Sequence, residues 1–146
     1  MSKLLFLLPL LMWQSQVKWE TDLDAAIKMA SEKNKTVLLN FSGSDWCAPC
    51  IQMKKNIFNH PEFISWSAEN LVLVNADFPR SKKNKLTAEQ QMRNERMAEQ
   101  YNRTGIFPLT VLLNPDGSIK KSWEGMPKLS AAEFVEEIRK NISHQP

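Results

Sequence analysis

Residues 36–50 read TVLLNFSGSDWCAPC and contain both cysteines of the 146-residue chain, Cys47 and Cys50. The first part, residues 36–41, is a nearly continuous apolar run, which is typical of a strand covered on both faces of a sheet. A short polar loop follows this run, and a helix is predicted over residues 48–58. The sequence therefore puts a pair of cysteines where the loop after a buried strand meets the N-terminus of a helix.

Apolar periodicity and capping residues predict one α/β domain over residues 17–146. Ahead of the buried strand, a helix begins after Thr21, the predicted N-cap, and ends near Asn34. The predicted elements after the cysteines are a short helix at 61–69, a strand at 71–77, a helix at 88–101 with Thr87 as its N-cap, strands at 109–113 and 118–123, and a final helix capped by Ser130. This order indicates a central mixed β-sheet with helices on both faces.

Residues 1–16 have the pattern of a signal peptide. A short positive end is followed by residues 4–12, which are apolar throughout, and then by polar residues. The apolar run is too short to span a bilayer of roughly 30 Å, but it matches the apolar region of a signal peptide. No A-x-A-like cleavage pair is present, so an uncleaved anchor or an unusually apolar N-terminus is an alternative to the export that we predict.

Composition and charge exclude several classes of function. The net charge of +3 is mild, and the densest basic stretch, residues 80–85, lies in a predicted loop without interleaved aromatic residues. We interpret this stretch as a solvated loop rather than a site for nucleic acid or an acidic partner. The chain has four glycines, and neither a phosphate-binding glycine loop nor a Ser/His/Asp constellation occurs in it. We expect no cofactor and no nucleic-acid partner.

The spacing of the cysteines argues against a purely structural bridge. An oxidising compartment would allow such a bridge to form and persist. A disulfide between Cys47 and Cys50, however, closes a very short loop and restrains the unfolded chain little, so it stabilises weakly. The spacing fits a dithiol that switches between two redox states better than it fits a structural link.

A metal site is the other use for two cysteines. A closed zinc site needs four ligands, and the other candidates are carboxylates, His60 and His144. His60 precedes a proline at a helix boundary and His144 lies close to the C-terminus, so we predict both as surface residues and expect no bound metal. Copper carried by the dithiol alone, a soft ligand pair, is an alternative.

Three motifs carry a resemblance to a known family. They are WCAPC at residues 46–50 after a strand, VNAD at 74–77 at the end of the next strand, and GIFP at 105–108 before a predicted hairpin. With these motifs the chain resembles the thioredoxin superfamily over nearly all its length after the leader, and residues 41–47, FSGSDWC, resemble its exported bacterial branch. The resemblance implies a thioredoxin-like fold and thiol–disulfide chemistry.

The resemblance implies a role for each residue of the motif, and the physical chemistry agrees with it. At a helix N-terminus, unpaired amides and the macrodipole favour the thiolate of Cys47, which makes it the attacking nucleophile. Cys50, one turn further on, is the resolving thiol and is expected to be the more enclosed of the two. Pro49 stiffens the first turn, Ala48 adds no charge, and Trp46 covers the motif as an apolar platform.

The same resemblance assigns a second site element before the hairpin. It implies that the peptide bond before Pro108 is cis and that Pro108 packs opposite the cysteines. It also implies that the backbone of Phe107 pairs with an extended segment of the substrate. Only about 5–6% of X-Pro bonds in folded proteins are cis, so this expectation depends on the family and not on proline itself.

Two residues depart from the family's pattern. Thioredoxins usually carry a buried carboxylate, a proton relay for the second cysteine, where this chain has Asn40, and the lysine often paired with that acid is replaced by Leu73. Losing both avoids an unpaired buried charge, but the proton route to Cys50 then has to use Asp45 or water. The segment 78–100 is also longer than in a minimal thioredoxin, and we expect it to influence partner choice.

Together these features predict thiol–disulfide exchange on protein disulfides in the periplasm or another exported location. Strong oxidants of the superfamily tend to place a histidine inside the motif, where it stabilises the reduced form. Ala48 and Pro49 carry no charge, which favours a reductase over an oxidase or an isomerase. A reductase outside the cytoplasm needs an electron source, which we expect to be a membrane protein, and we expect the reductase itself to be a monomer. A non-catalytic binding module, chaperone-like or copper-carrying, is the alternative.

Overall fold

The structure is a computed structural model, and it describes residues 17–142. The predicted leader and His144 lie outside the described residues. The strands are β1 (Trp19–Glu20), β2 (Thr36–Ser42), β3 (Leu71–Asp77), β4 (Leu109–Leu113) and β5 (Ile119–Glu124). They form one sheet in the order β1-β3-β2-β4-β5, in which β1, β3 and β2 are parallel and β4 and β5 are antiparallel to their neighbours. The predicted mixed sheet is confirmed.

Helices cover both faces of the sheet. They are α1 (Leu23–Lys33), α2 (Ala48–Met53), α3 (Pro61–Asn70), α4 (Ala88–Tyr101) and α5 (Ala131–Ile142). The helix predicted over residues 48–58 is continuous, but its second half, Lys54–Phe58, is a π-helical turn. One apolar cluster joins α1 and α4 to the sheet, and a second joins α2, α3 and α5 to the opposite face. Within residues 17–142, no helix is long and apolar enough to cross a bilayer.

The N-terminal end of the domain differs from the sequence prediction in two ways. The N-cap of α1 is Asp22 and not Thr21, because the Asp22 carboxylate accepts a hydrogen bond from the amide of Ala25 at 3.1 Å. A carboxylate at this position also interacts favourably with the helix dipole. The short edge strand β1 was not predicted, since a strand of this length carries no periodicity; its Trp19 ring packs against Phe58 at 5.0 Å.

The strand register brings three loops to one edge of the sheet. Ser42 at the end of β2 pairs with Asp77 at the end of β3, and Phe41 pairs with Leu109 at the start of β4. The cysteine loop follows β2, the basic segment follows β3, and the GIFP motif (residues 105–108) precedes β4. Residues far apart in the sequence therefore converge at this edge.

Candidate functional site

Cys47 and Cys50 lie at the start of α2 and are joined by a disulfide, with their Cα atoms 5.2 Å apart. Cys47 is the N-cap of α2, and its sulfur accepts a hydrogen bond from the Cys50 amide at 3.3 Å. The exposed fraction is 4% for Cys47 and 5% for Cys50. The prediction that Cys50 is the more enclosed is wrong for this oxidised state, in which the two cysteines are almost equally buried.

Trp46 is held by the segment that follows β3. Its indole Nε1 donates a hydrogen bond to the carbonyl of Phe78 at 2.7 Å, and its ring meets the Phe107 ring edge-on at 5.4 Å. The guanidinium carbon of Arg80 lies 3.7 Å from the centre of the indole ring. The predicted apolar platform is therefore only part of the arrangement, since one face of Trp46 carries a cation.

Gly43 provides the space in which Trp46 lies. A Cβ atom added to Gly43 would come within 2.6 Å of the indole Nε1, which no side chain could tolerate without moving the ring. The carbonyl of Gly43 also accepts hydrogen bonds from the amides of Trp46 and Cys47 at 3.2 and 2.9 Å. Sequence reasoning did not single out this glycine, although it is the only one between β2 and the cysteines.

Asp45 anchors the loop after β3. Its carboxylate accepts hydrogen bonds from the amides of Arg80 and Ser81, each at 2.9 Å, and from the Asn84 side chain at 3.0 Å. These bonds, that of the Arg80 amide above all, hold the pKa of Asp45 below its ordinary value. A carboxylate stabilised in its charged form is a weaker base, so the geometry gives Asp45 a role in loop attachment and does not favour it as a proton relay.

Asn40 lies in a buried polar ladder on the face of the sheet that packs against α2. Its amide donates to the side-chain oxygen of Asn75 at 3.2 Å, and its own oxygen accepts from the Thr110 hydroxyl at 3.1 Å. The Ser42 hydroxyl also donates to Asn75 at 3.2 Å. Asn75 is paired with Asn40 across the strands, whereas Leu73 is buried in the apolar core. The neutral amide of Asn40 thus fills the place expected for the acid, and the apolar side chain of Leu73 fills the place expected for its lysine.

A cavity of about 370 Å³ lies beside Cys50. Asn40, Ser42 and Asn75 contribute polar groups to its wall, and the half-exposed side chain of Ile51 lies at the same wall. This volume is far larger than a water molecule needs, and the wall offers several hydrogen-bonding partners. Water held in this cavity can therefore reach the side of Cys50.

Pro108 begins the second predicted element of the site. The Phe107–Pro108 bond is cis, as predicted, and the Pro108 carbonyl accepts a hydrogen bond from the Gly125 amide at 2.8 Å. Pro108 is buried at the edge of the sheet where β2 runs toward the cysteines. Within residues 17–142, the amide and carbonyl of Phe107 make no hydrogen bond, so this backbone is open to pairing.

A family model of the thioredoxin-like domain matches residues 23–142. The chain belongs to the thioredoxin-like family. The predicted family and fold are both confirmed, since the sheet and helices also match solved structures with this fold.

Curated and solved relatives of this thioredoxin-like chain include a disulfide bond reductase and an oxidoreductase. The chain is 34% identical over 103 residues to "Disulfide bond reductase DsbH" of Chlamydia pneumoniae, a match that covers 70% of this chain and 60% of that protein's length. A solved "DsbH Oxidoreductase" is 28% identical with a TM-score of 0.79, covering 89% of this chain and 87% of that one. The oxidised DsbD C-terminal domain of Neisseria meningitidis is 25% identical with a TM-score of 0.54, covering 81% and 90%.

The predicted surface histidine is a helix cap in this thioredoxin-like domain. His60 is exposed, and its Nδ1 accepts a hydrogen bond from the Glu62 amide at 3.3 Å at the start of α3. Within residues 17–142, no three His, Cys, Asp or Glu side chains are grouped as metal ligands would be.

Proposed function

We propose that the protein is a thiol–disulfide oxidoreductase that reduces disulfides of other proteins outside the cytoplasm. The observation that carries this proposal is the Cys47–Cys50 disulfide at the start of α2, in which the Cys47 sulfur accepts the Cys50 amide hydrogen. A donor aimed at this sulfur stabilises its thiolate once the bond is reduced. The name of the Chlamydia relative, a disulfide bond reductase, supports the same reaction.

The reaction begins with the reduced protein. The Cys47 thiolate attacks one sulfur of a substrate disulfide, and a mixed disulfide forms as the other substrate sulfur leaves as a thiolate. Cys50 then loses its proton and attacks the Cys47 sulfur, which releases the second substrate sulfur. The substrate gains two electrons and, with two protons, becomes a dithiol, while Cys47 and Cys50 become the disulfide.

The proton of Cys50 needs an acceptor, and we propose water in the adjoining cavity. Asn40 and Asn75 cannot ionise, but their amides and the Ser42 hydroxyl can orient a water molecule through hydrogen bonds. Asp45 is engaged with the loop after β3, so the solvent route is favoured over it. This arrangement replaces a fixed buried base with exchangeable solvent.

Substrate binding is proposed at Trp46, Phe107 and Pro108. The free amide and carbonyl of Phe107 offer main-chain hydrogen bonds to an extended substrate segment, as in strand addition at a sheet edge. The Trp46 and Phe107 rings, in contact at 5.4 Å, give that segment an apolar surface next to the disulfide. A substrate disulfide lying along Phe107 would thus be oriented toward Cys47.

The reducing direction follows from the neutral residues between the cysteines. Ala48 and Pro49 give the thiolate no charged partner, so the reduced form lacks the stabilisation that makes an oxidant. We expect a reduction potential of about −270 mV, the value of thioredoxin, and not one of about −120 mV, the value of DsbA. Equilibration with glutathione or dithiothreitol buffers of known potential measures it.

The compartment and the electron source are part of the same proposal. A leader-like segment at residues 1–16 supports export to the periplasm or an equivalent space. Outside the cytoplasm the oxidised Cys47–Cys50 pair has to be reduced again, and we propose a membrane protein with its own dithiol as the donor. The protein would act as a monomer that meets donor and substrate in turn.

Insulin reduction with dithiothreitol as electron source tests the proposed reaction. Wild type should catalyse the precipitation of insulin chains, and Cys47→Ser should abolish catalysis. Cys50→Ser should retain the attacking thiolate and accumulate a mixed disulfide that gel electrophoresis without reductant detects. If wild type is no faster than Cys47→Ser and instead binds Cu(I) tightly without turnover, the protein is a carrier and the proposal is wrong.

A further inference from the structure

The basic loop, defined here as residues 80–85 (RSKKNK), has no part in the proposed reaction. It carries four exposed cationic side chains, those of Arg80, Lys82, Lys83 and Lys85. Among the ion pairs formed within residues 17–142, none involves these four side chains. The loop therefore presents a group of cations whose charge is not neutralised by pairing within the described domain.

Hydrogen bonds fix the basic loop beside the cysteines. The Asp45 carboxylate binds the amides of Arg80 and Ser81 and the side chain of Asn84, so both ends of the loop are tied to the residue before Trp46. The interpretation of the loop as simply solvated is therefore incomplete, because its backbone belongs to the rim of the redox site.

Arg80 connects the charge of the loop to that rim. Its guanidinium lies 3.7 Å above the Trp46 ring, and Trp46 immediately precedes Cys47. A guanidinium stacked on an aromatic face keeps the N–H groups at its edge free, and these match a carboxylate in a bidentate geometry. The stacking also restricts the side chain before a partner arrives, which lowers the entropy lost on binding.

The carboxylates near the loop are engaged with neutral donors. Asp77 accepts hydrogen bonds from Ser44, Glu95 accepts one from Gln91 at 2.9 Å, and Asp45 holds the loop itself. Asp77 and Glu95 line the cavity between the loop and α4. The four cationic side chains are left to pair with charges supplied by another molecule.

We propose that the basic loop is a substrate-selection surface that docks an acidic segment flanking the disulfide of the protein substrate. This inference rests on the proposed function, because it assigns a partner to the same redox site. Positive charge beside Cys47 attracts an acidic substrate from a distance and raises its rate of encounter. Arg80 then fixes the register by binding a carboxylate next to the substrate cysteine.

Two synthetic peptides, each closed by one disulfide, test the proposal. They share one sequence except that the residues flanking the disulfide are glutamates in one and glutamines in the other. We expect wild type to reduce the acidic peptide with a kcat/KM about tenfold higher in dilute buffer. The preference should nearly vanish at about 1 M salt, where the Debye length is only about 3 Å.

Charge-matched variants distinguish the effect of the basic loop on the peptide preference from the effect of the protein's net charge. The ratio of kcat/KM for the acidic peptide to that for the neutral peptide should fall close to one in a triple variant with Lys82→Gln, Lys83→Gln and Lys85→Gln. A control triple variant removes the same charge from α1 and β5 and should keep this ratio; it carries Lys28→Gln, Lys33→Gln and Lys120→Gln. Arg80→Lys, which keeps the charge without the planar fork, should lower the ratio less than Arg80→Gln does.

The outcomes distinguish this inference from the proposed function. If wild type reduces neither peptide, the reductase proposal fails, whereas equal reduction of both overturns only the assignment of the loop. Equal loss of preference in both triple variants would also overturn it, since net charge alone would explain the effect. Equal reduction together with binding of a mixed-sequence DNA duplex would assign the loop to nucleic acid instead.

Discussion

At the scale of single residues, Gly43 shows how a missing side chain shapes the site. Gly43→Ala puts a methyl group where the Trp46 indole lies. We expect a loss of roughly 1–3 kcal/mol in the free energy of unfolding, because the ring has to move and the overpacked contact is strained. Urea unfolding measures it. In a Trp46→Ala background the same change should cost little; an equal cost there would mean that the ring is not the cause.

Asn40 gives a second prediction at this scale, a change in stability with pH whose direction follows from the burial of residue 40. Asn40→Asp introduces a carboxyl at a position that is 5% exposed, so burial raises its folded pKa above the unfolded value of about 3.9. The protonated acid can still donate to Asn75, so relative to wild type the variant should be least destabilised below pH 4 and lose stability as pH rises through the folded pKa. We expect a cost of roughly 1–3 kcal/mol or more near pH 8.

The control for Asn40→Asp is Asn56→Asp, a change to an exposed amide on the π-helical turn. Urea unfolding of both variants and of wild type, repeated between pH 4 and pH 8 in otherwise identical buffers, measures how the unfolding free energy of each changes with pH. If Asn40→Asp loses no more stability than Asn56→Asp as pH rises, the carboxyl at residue 40 is not buried in the folded protein.

At the scale of elements, Asp45 joins the cysteine loop to the basic loop, and its titration gives a pH dependence. The folded pKa of Asp45 is lowered by the hydrogen bonds from Arg80, Asn84 and Ser81. Its contribution to stability is therefore present above the unfolded pKa of about 3.9 and lost as pH falls through the folded pKa. The difference in unfolding free energy between wild type and Asp45→Asn should thus be largest near neutral pH and shrink below about pH 4.

Urea unfolding measures the difference in unfolding free energy between wild type and Asp45→Asn. The control is a carboxylate that accepts no hydrogen bonds from a loop of the described domain. Glu69→Gln, which removes an exposed carboxylate on α3, serves as this control. A difference for Asp45→Asn that is constant with pH would contradict the role of the charged carboxylate in holding the basic loop.

The elements themselves could largely be predicted from the sequence, and the contacts between their loops could not. β2 and β4 are apolar runs bounded by loops, and the caps Thr87 and Ser130 accept amide hydrogen bonds as predicted. Such signals are local, since each depends on neighbouring residues. The contact of Arg80 with Trp46 joins residues on different loops, and nothing in either segment alone indicates it.

At the scale of the whole molecule, a single strand links the two apolar clusters to the redox site. Val37, Leu39 and Phe41 of β2 enter one cluster, while Leu38 enters the other on the face that packs α2. Asn40 lies on that second face, one residue from the end of the apolar run. The loop that carries the cysteines is thus attached to a strand that is buried from Val37 to Ser42, and global unfolding and the redox state of the dithiol should be coupled.

That coupling predicts which redox form is the more stable. A thermodynamic cycle links the reduction potential of the Cys47–Cys50 couple to stability. The potential in the folded protein differs from that in the unfolded chain by an amount set by the difference in unfolding free energy between the oxidised and the reduced protein. A difference of about 30 mV corresponds to about 1.4 kcal/mol. A strong oxidant such as DsbA has a stabilised reduced form. In the reductase proposed here, the neutral Ala48-Pro49 pair gives the thiolate no such stabilisation, so the oxidised form should unfold at higher urea concentration than the reduced form.

Urea unfolding with and without excess dithiothreitol measures this order of stability, and tryptophan fluorescence reports the transition. A variant carrying both Cys47→Ser and Cys50→Ser should unfold identically with and without dithiothreitol, which controls for effects of the reductant on the solvent. A reduced form that is more stable than the oxidised form would contradict the reducing direction. Because the reaction with insulin and dithiothreitol does not depend on this order, that result would reverse the direction proposed for the dithiol and leave its chemistry intact.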